Sequence, residues 1–135
     1  MATSHTLITK FFLEHGSGFA YVGRQVPINV GGLDFFIDLL FFHLQLRCYV
    51  VIEMRNSRFL PEYTGKLGFY LSAIDSLLRH PQDNPVVGLT ICVEKNSIVV
   101  EYQRTKAPPA CFGGCLPTVE EIATAAFRPK TVRRW

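Results

Sequence analysis

Asp38 and Glu53 are the two residues whose setting most demands a chemical explanation. Asp38 lies inside Ile37-Asp38-Leu39-Leu40-Phe41-Phe42 and Glu53 inside Val50-Val51-Ile52-Glu53-Met54, runs that otherwise have the composition of fully buried strands. An unpaired buried carboxylate is strongly disfavoured. Two of them on adjacent strands also repel unless a proton or a cation lies between them. A hard divalent cation, Mg²⁺ or Mn²⁺, held by carboxylate oxygens and water, resolves both problems. The alternative is that each acid pairs with a nearby arginine, Arg24 or Arg47. A third acid, Glu14, shares a helical stripe with Leu7 and Phe11, which places a carboxylate on the core-facing side of a helix.

The elements that must position these acids follow from periodicity and turn residues. Leu7, Ile8, Phe11 and Phe12 recur at helical spacing, predicting a first helix from Ser4 to Glu14 that Gly16-Ser17-Gly18 ends. Three strand-like runs follow, Phe19 to Val30, Leu33 to His43 and Leu46 to Arg55, an antiparallel meander with Gly31-Gly32 as its first turn and Gln45 in the second connection. Alternation puts Asp34, Phe36 and Asp38 on one face and Phe35, Ile37 and Leu39 on the other; Tyr49, Val51, Glu53 and Arg55 share a face of the next strand. Pro61 opens a second helix running to about His80, with Tyr63, Leu67, Tyr70, Leu71, Ile74, Leu77 and Leu78 as its apolar face. Val86 to Val93 and Ile98 to Gln103 read as further strands. A Pro/Gly-rich loop over 104–117 leads to a last helix from Thr118 to Phe127, where Thr118 and Glu121 are spaced as a capping box. The expected order is α-β-β-β-α-β-β-α.

At 135 residues with 48% hydrophobic and 19% charged content, the chain is expected to fold as one domain, 1–127, with a basic tail at 128–135. That tail holds Arg128, Lys130, Arg133 and Arg134, four of the 14 basic residues, leaving ten against 11 acids elsewhere. It either binds phosphates or stays solvated. No apolar run is long enough to span a membrane and the N-terminus lacks the marks of a signal peptide, so a cytoplasmic protein is expected. Cys48 and Cys92, inside apolar runs, read as buried small hydrophobes. Cys111 and Cys115 have the spacing of half a zinc site but no companion pair, and read as loop thiols. His15 and His43, at element ends, read as surface histidines.

The pattern resembles the PD-(D/E)XK nuclease core, and most closely the C-terminal nuclease domain of the YhcG type. The resemblance rests on Phe12-Leu13-Glu14, Gly18 to Gln25, Asp34 to Phe41, Leu46 to Glu53, Pro61-Glu62-Tyr63, Phe69 to Ala73 and Leu116 to Ile122, nearly the whole chain. It implies an α/β, restriction-endonuclease-like core with a central mixed sheet flanked by helices. It also implies metal-dependent hydrolysis of phosphodiester bonds in nucleic acid, DNA above all. Asp38 and Glu53 would hold Mg²⁺ or Mn²⁺ with the Met54 carbonyl, and Glu14 would be a third acid.

Two positions depart from that pattern. Arg55 stands where the family has lysine, and Lys66 where it has glutamine. Arg cannot accept a proton, though it can stabilise developing phosphate charge. Either Lys66 reaches from the helix towards the acids and takes over the lysine's role while Arg55 contacts phosphate, or Lys66 is solvated and Arg55 marks a weakened site. Arg24 and Tyr70 are further candidates for phosphate or substrate contact, with pairing to Glu14 and core packing as their respective alternatives. The competing function is a nuclease-fold module that binds nucleic acid or assembles with a partner without cutting. The first helix begins almost at Met1, without the helical domain usual before this domain, so the chain is expected either as a standalone nuclease domain or as one that acts with a separately encoded partner. A homodimer, as in a junction-resolving enzyme, is the other assembly expected.

Overall fold

A computed structural model describes residues 4–14, 18–94, 97–104 and 116–126. It contains α1 (Ser4–Glu14), β1 (Phe19–Val30), β2 (Leu33–His43), β3 (Cys48–Arg55), α2 (Pro61–Leu77), β4 (Val87–Glu94), β5 (Ser97–Arg104) and α3 (Val119–Ala126). The element order is the expected one, and the boundaries that move do so for local reasons. β3 starts at Cys48 rather than Leu46 because Arg47 takes φ +56° and its N–H donates to the His43 carbonyl at 2.8 Å, closing a turn. α2 stops at Leu77, and Leu77 and Leu78 are 53% and 43% exposed rather than part of the apolar face. Gly31 and Gly32 carry φ values of +60° and +86°, the backbone that a two-residue hairpin turn requires. Thr118 and Glu121 exchange the two bonds of a capping box, at 2.8 and 3.1 Å.

The five strands lie in the order β1-β2-β3-β4-β5, antiparallel except for β3 and β4, which are parallel. A parallel pair needs a crossover, and α2 supplies it. β3 and β4 are buried along most of their length, as central strands covered on both faces are. On one face Ile8 and Phe12 of α1 and Ile122 of α3 pack on Phe41, Ile52 and Leu89; on the other, Leu67, Leu71 and Ile74 of α2 pack on Leu40 and Val51.

The fully buried residues that α1 sets on the sheet are Ile8 and Phe12, with Phe11 partly buried against the same core and Leu7 half-buried. Glu14 is exposed, so the helix bears no buried carboxylate to explain. His43 is likewise fully buried rather than at the surface: its Nδ1 accepts the Leu46 N–H at 3.1 Å and its ring packs against Phe19. Cys48 and Cys92 are buried as expected, and burial pushes the Cys48 thiol up to about 12. His15, Cys111, Cys115 and the basic tail lie outside the described residues.

α2 sits close on β4 because Gly88 has no side chain. A Cβ there would lie 2.8 Å from Leu71 Cδ2 and 2.9 Å from Leu67 Cδ2, both on fully or nearly fully buried leucines. Gly88→Ala is therefore expected to destabilise the domain by about 1–3 kcal/mol through overpacking. Urea denaturation with an unchanged or higher midpoint would show that α2 has room to move.

Regular alternation in β2 holds only on either side of Asp38. Ile37 belongs to the core under α2, whereas Leu39 belongs to the core under α1 and α3, so the expected common face of these two residues is not observed. Pairing with β1 passes from Arg24 with Leu39 to Val26 with Ile37, and the intervening Gln25 takes φ +51°. The β2–β3 ladder also ends here, at Leu39 with Ile52. The strands part at Asp38.

Candidate active site

Where the ladder ends, carboxylates take the backbone donors. The Asp38 N–H donates to Glu53 Oε2 at 3.1 Å, and the Met54 N–H donates to Asp38 Oδ2 at 2.9 Å. Each acid thus satisfies a main-chain N–H on the other strand, fixing both side chains to the sheet rather than to rotamers of their own. Gln25 Nε2 donates to Asp38 Oδ1 at 3.0 Å.

Arg55 closes the constellation. Its Nη2 lies 3.0 Å from Glu53 Oε1, and its Nη1 lies 3.4 Å from Asp38 Oδ2 and 3.0 Å from the Met54 carbonyl oxygen. Cζ of Arg55 is 5.3 Å from the centre of the Tyr63 ring, a cation–π distance. The arginine that balances the acids is therefore neither Arg24 nor Arg47.

Glu53 is only 3% exposed. Burial pushes its carboxyl above the ordinary carboxylate range and the Asp38 charge adds to this, while the Asp38 N–H and the Arg55 guanidinium pull the other way. Any cation taken by Glu53 competes with a proton held more tightly than on a free glutamate. Tyr70 is buried against Phe35 and Phe69, and burial together with the Glu53 charge raises its phenol, so near neutral pH it is a neutral donor.

The remaining candidates do not join the pair. Lys66 is exposed, with Nζ 5.9 Å from the centre of the Tyr70 ring, and among the described residues it bonds neither carboxylate. Glu14 and Arg24 line one shallow cleft with Lys10 and Tyr21, and no ion pair between the two is found among the described residues. No third acid, histidine or cysteine completes a metal-binding group with Asp38 and Glu53 among the described residues.

Gln25 was not singled out from the sequence. A strand glutamine carries no signal, and only its left-handed backbone and its bond to Asp38 expose it. Gln25→Ala is expected to weaken Mn²⁺ binding about 10–100-fold, the usual cost of losing a group that orients a ligand. Calorimetric titration returning the parent's affinity would make Gln25 a bystander.

The donor chemistry suits a hard divalent cation: two carboxylates and a main-chain carbonyl, all oxygen, at one strand end. Asp38, Glu53 and the Met54 carbonyl are the groups that would hold it. The same three groups all accept from Arg55.

A mixed five-stranded sheet with helices on both faces, its acids at the point where β2 and β3 diverge, defines the restriction-endonuclease-like α/β class. The family model described as "YhcG PDDEXK nuclease domain" matches residues 5–111, and the chain belongs to that family. It is similar to a protein of Escherichia coli (strain K12) named "Putative nuclease YhcG", 35% identical over 129 residues, which is 93% of this chain and 34% of the relative. The chain thus spans about a third of that relative's length. Among the described residues no helix is long and apolar enough to cross a membrane.

Proposed function

We propose that this chain is a divalent-cation-dependent endonuclease domain that hydrolyses phosphodiester bonds of DNA. One observation carries the reading: two carboxylates from adjacent strands and one carbonyl converge on a single positive group, in a chain of the PDDEXK nuclease family. Asp38, Glu53 and the Met54 carbonyl would hold Mg²⁺ or Mn²⁺, which would supply polarisation of the scissile phosphate and a lowered pKa for an attacking water. Gln25 and the Met54 N–H aim Asp38. Arg55 stabilises charge developing on the phosphate. Arg24 and Lys66, exposed on β1 and α2, contact the DNA backbone, Glu14 serves from the rim of the Arg24 cleft, and Tyr70 offers its hydroxyl from below. Besides DNA, its partner would be a helical domain or a second copy of the chain.

A second reading has its own support. Because Arg55 already satisfies all three oxygens, the chain could equally be a nuclease-fold module that binds DNA without cutting it. Incubating supercoiled plasmid with Mg²⁺, with Mn²⁺ and with a chelator separates the two. Nicking that requires the cation supports the enzyme, whereas binding without nicking in either metal supports the module.

A further inference from the structure

We infer that Arg55 is an internal cation that occupies the acid pair when no divalent ion is bound and must leave it when one binds. The inference rests on the metal-site reading above and concerns what stands in that site beforehand. Three observations support it. The guanidinium contacts Asp38 Oδ2, Glu53 Oε1 and the Met54 oxygen together, at 3.0–3.4 Å, so it uses the same lone pairs that a cation would need. Two carboxylates carry at most two negative charges; a divalent ion plus the guanidinium would bring three positive ones onto the same oxygens, and like charges that close repel. The guanidinium also has somewhere to go. Tyr63 offers its ring face beside it, and the Tyr63 hydroxyl is held by Ser57 Oγ at 2.6 Å, so this aromatic ledge is fixed in place. Arg55 can move along the ledge towards incoming phosphate without losing its cation–π contact.

The consequence is a linkage between the two cations. The acids are available only for the fraction of time in which Arg55 has left them, and the apparent metal affinity is reduced by that fraction. An arginine here therefore sets a threshold of divalent cation below which the site stays closed by its own chain. It also keeps Glu53 from being a buried, unbalanced charge in the meantime.

Mn²⁺ binding measured by calorimetry, without DNA, tests this on the whole chain. R55Q is expected to bind Mn²⁺ at least about tenfold more tightly than the parent, as for a site previously open a tenth of the time or less. R55K keeps a positive charge but lacks the fork that spans three oxygens, and is expected to fall between the two. R58Q removes a neighbouring exposed cation that touches neither acid, and is expected to change affinity less than about twofold, as a screened surface charge should. Melting of the metal-free proteins gives a second readout: R55Q melts lower than the parent, and saturating Mn²⁺ raises its melting temperature by more. Equal or weaker Mn²⁺ binding by R55Q and R55K would overturn the inference while leaving the metal site standing. Should R55Q not fold, R55K alone decides. An equal tightening by R58Q would reduce Arg55 to one charge among several. Absence of Mn²⁺ binding in every variant, the parent included, would remove both the inference and the metal site beneath it.

Discussion

Glu53→Ala and Asp38→Ala are each expected to lower cation-dependent nicking of plasmid DNA by at least about 10²–10³-fold, with Glu53→Gln and Asp38→Asn falling nearly as far. The magnitude follows from what is removed. Transition-state charge stabilisation by a bound metal is worth several kcal/mol, and each 1.36 kcal/mol is tenfold in rate. The amide variants matter because they separate chemistry from folding. The Asp38 N–H donates to Glu53 Oε2 and the Met54 N–H to Asp38 Oδ2, and an amide oxygen can accept both bonds. Alanine cannot, so it leaves a main-chain donor unsatisfied at a cost of about 1–3 kcal/mol. Glu53→Gln should therefore keep the fold and lose the cut. Circular dichroism and a melting curve establish the first, and conversion of supercoiled to open-circular plasmid measures the second. Nicking by Glu53→Gln at the parent's rate would place the chemistry elsewhere in the molecule.

Most of the fold was legible in the sequence because its elements are strongly patterned. Apolar runs bounded by Gly31-Gly32, Pro61 and the Thr118/Glu121 pair announced strands and helices in the order observed. What failed depended on a single residue of phase or on a partner distant in sequence. In α1 the apolar pattern of Leu7, Ile8, Phe11 and Phe12 is real, but its buried centre is Ile8 and Phe12, one residue on from the stripe that carries Glu14, and Glu14 is exposed. His43 looked like a strand-end histidine, but its burial comes from Phe19, 24 residues earlier, and from a turn that brings the Leu46 N–H to its ring. The two acids were found because buried charge is visible as an anomaly. Their cation was not. Arg55 was expected to face phosphate, and in strand logic it shares a face with Glu53; only the end of the ladder at Asp38 lets its guanidinium fold back over both acids and the Met54 carbonyl. Gln25 stayed hidden for the same reason, since a positive φ in the middle of a strand has no sequence signature unless the residue is glycine.

Phe12→Ala should be among the most damaging core substitutions, lowering stability by about 3–5 kcal/mol. Phe12 is fully buried and is the point where α1 meets the sheet: its ring centre lies 4.8 Å from that of Phe19 and 5.4 Å from those of Phe41 and Phe11. Deleting it removes the transfer free energy of a whole aromatic ring and the edge-to-face contact with Phe19, and it leaves a cavity that three rigid rings cannot collapse to fill. Against a typical domain stability of about 5–15 kcal/mol, such a loss takes about a fifth or more of the total. The loss should also be local. α1 is short, and among the described residues Ile8 is its only other fully buried contact with the sheet, so the helix should release before α2 does. Amide exchange should then quicken in α1 and β1 while β3 and β4, paired on both sides and covered by α2, stay protected. Glu14 and Lys10 leave with the helix, so the Arg24 cleft opens, yet Asp38 and Glu53 keep their bonds, because β2 and β3 do not depend on α1 for their register. Mn²⁺ affinity near the parent's in a Phe12→Ala protein with fast α1 exchange is the expected pair of results. Affinity lost together with α1 would mean instead that the helix is part of the metal site.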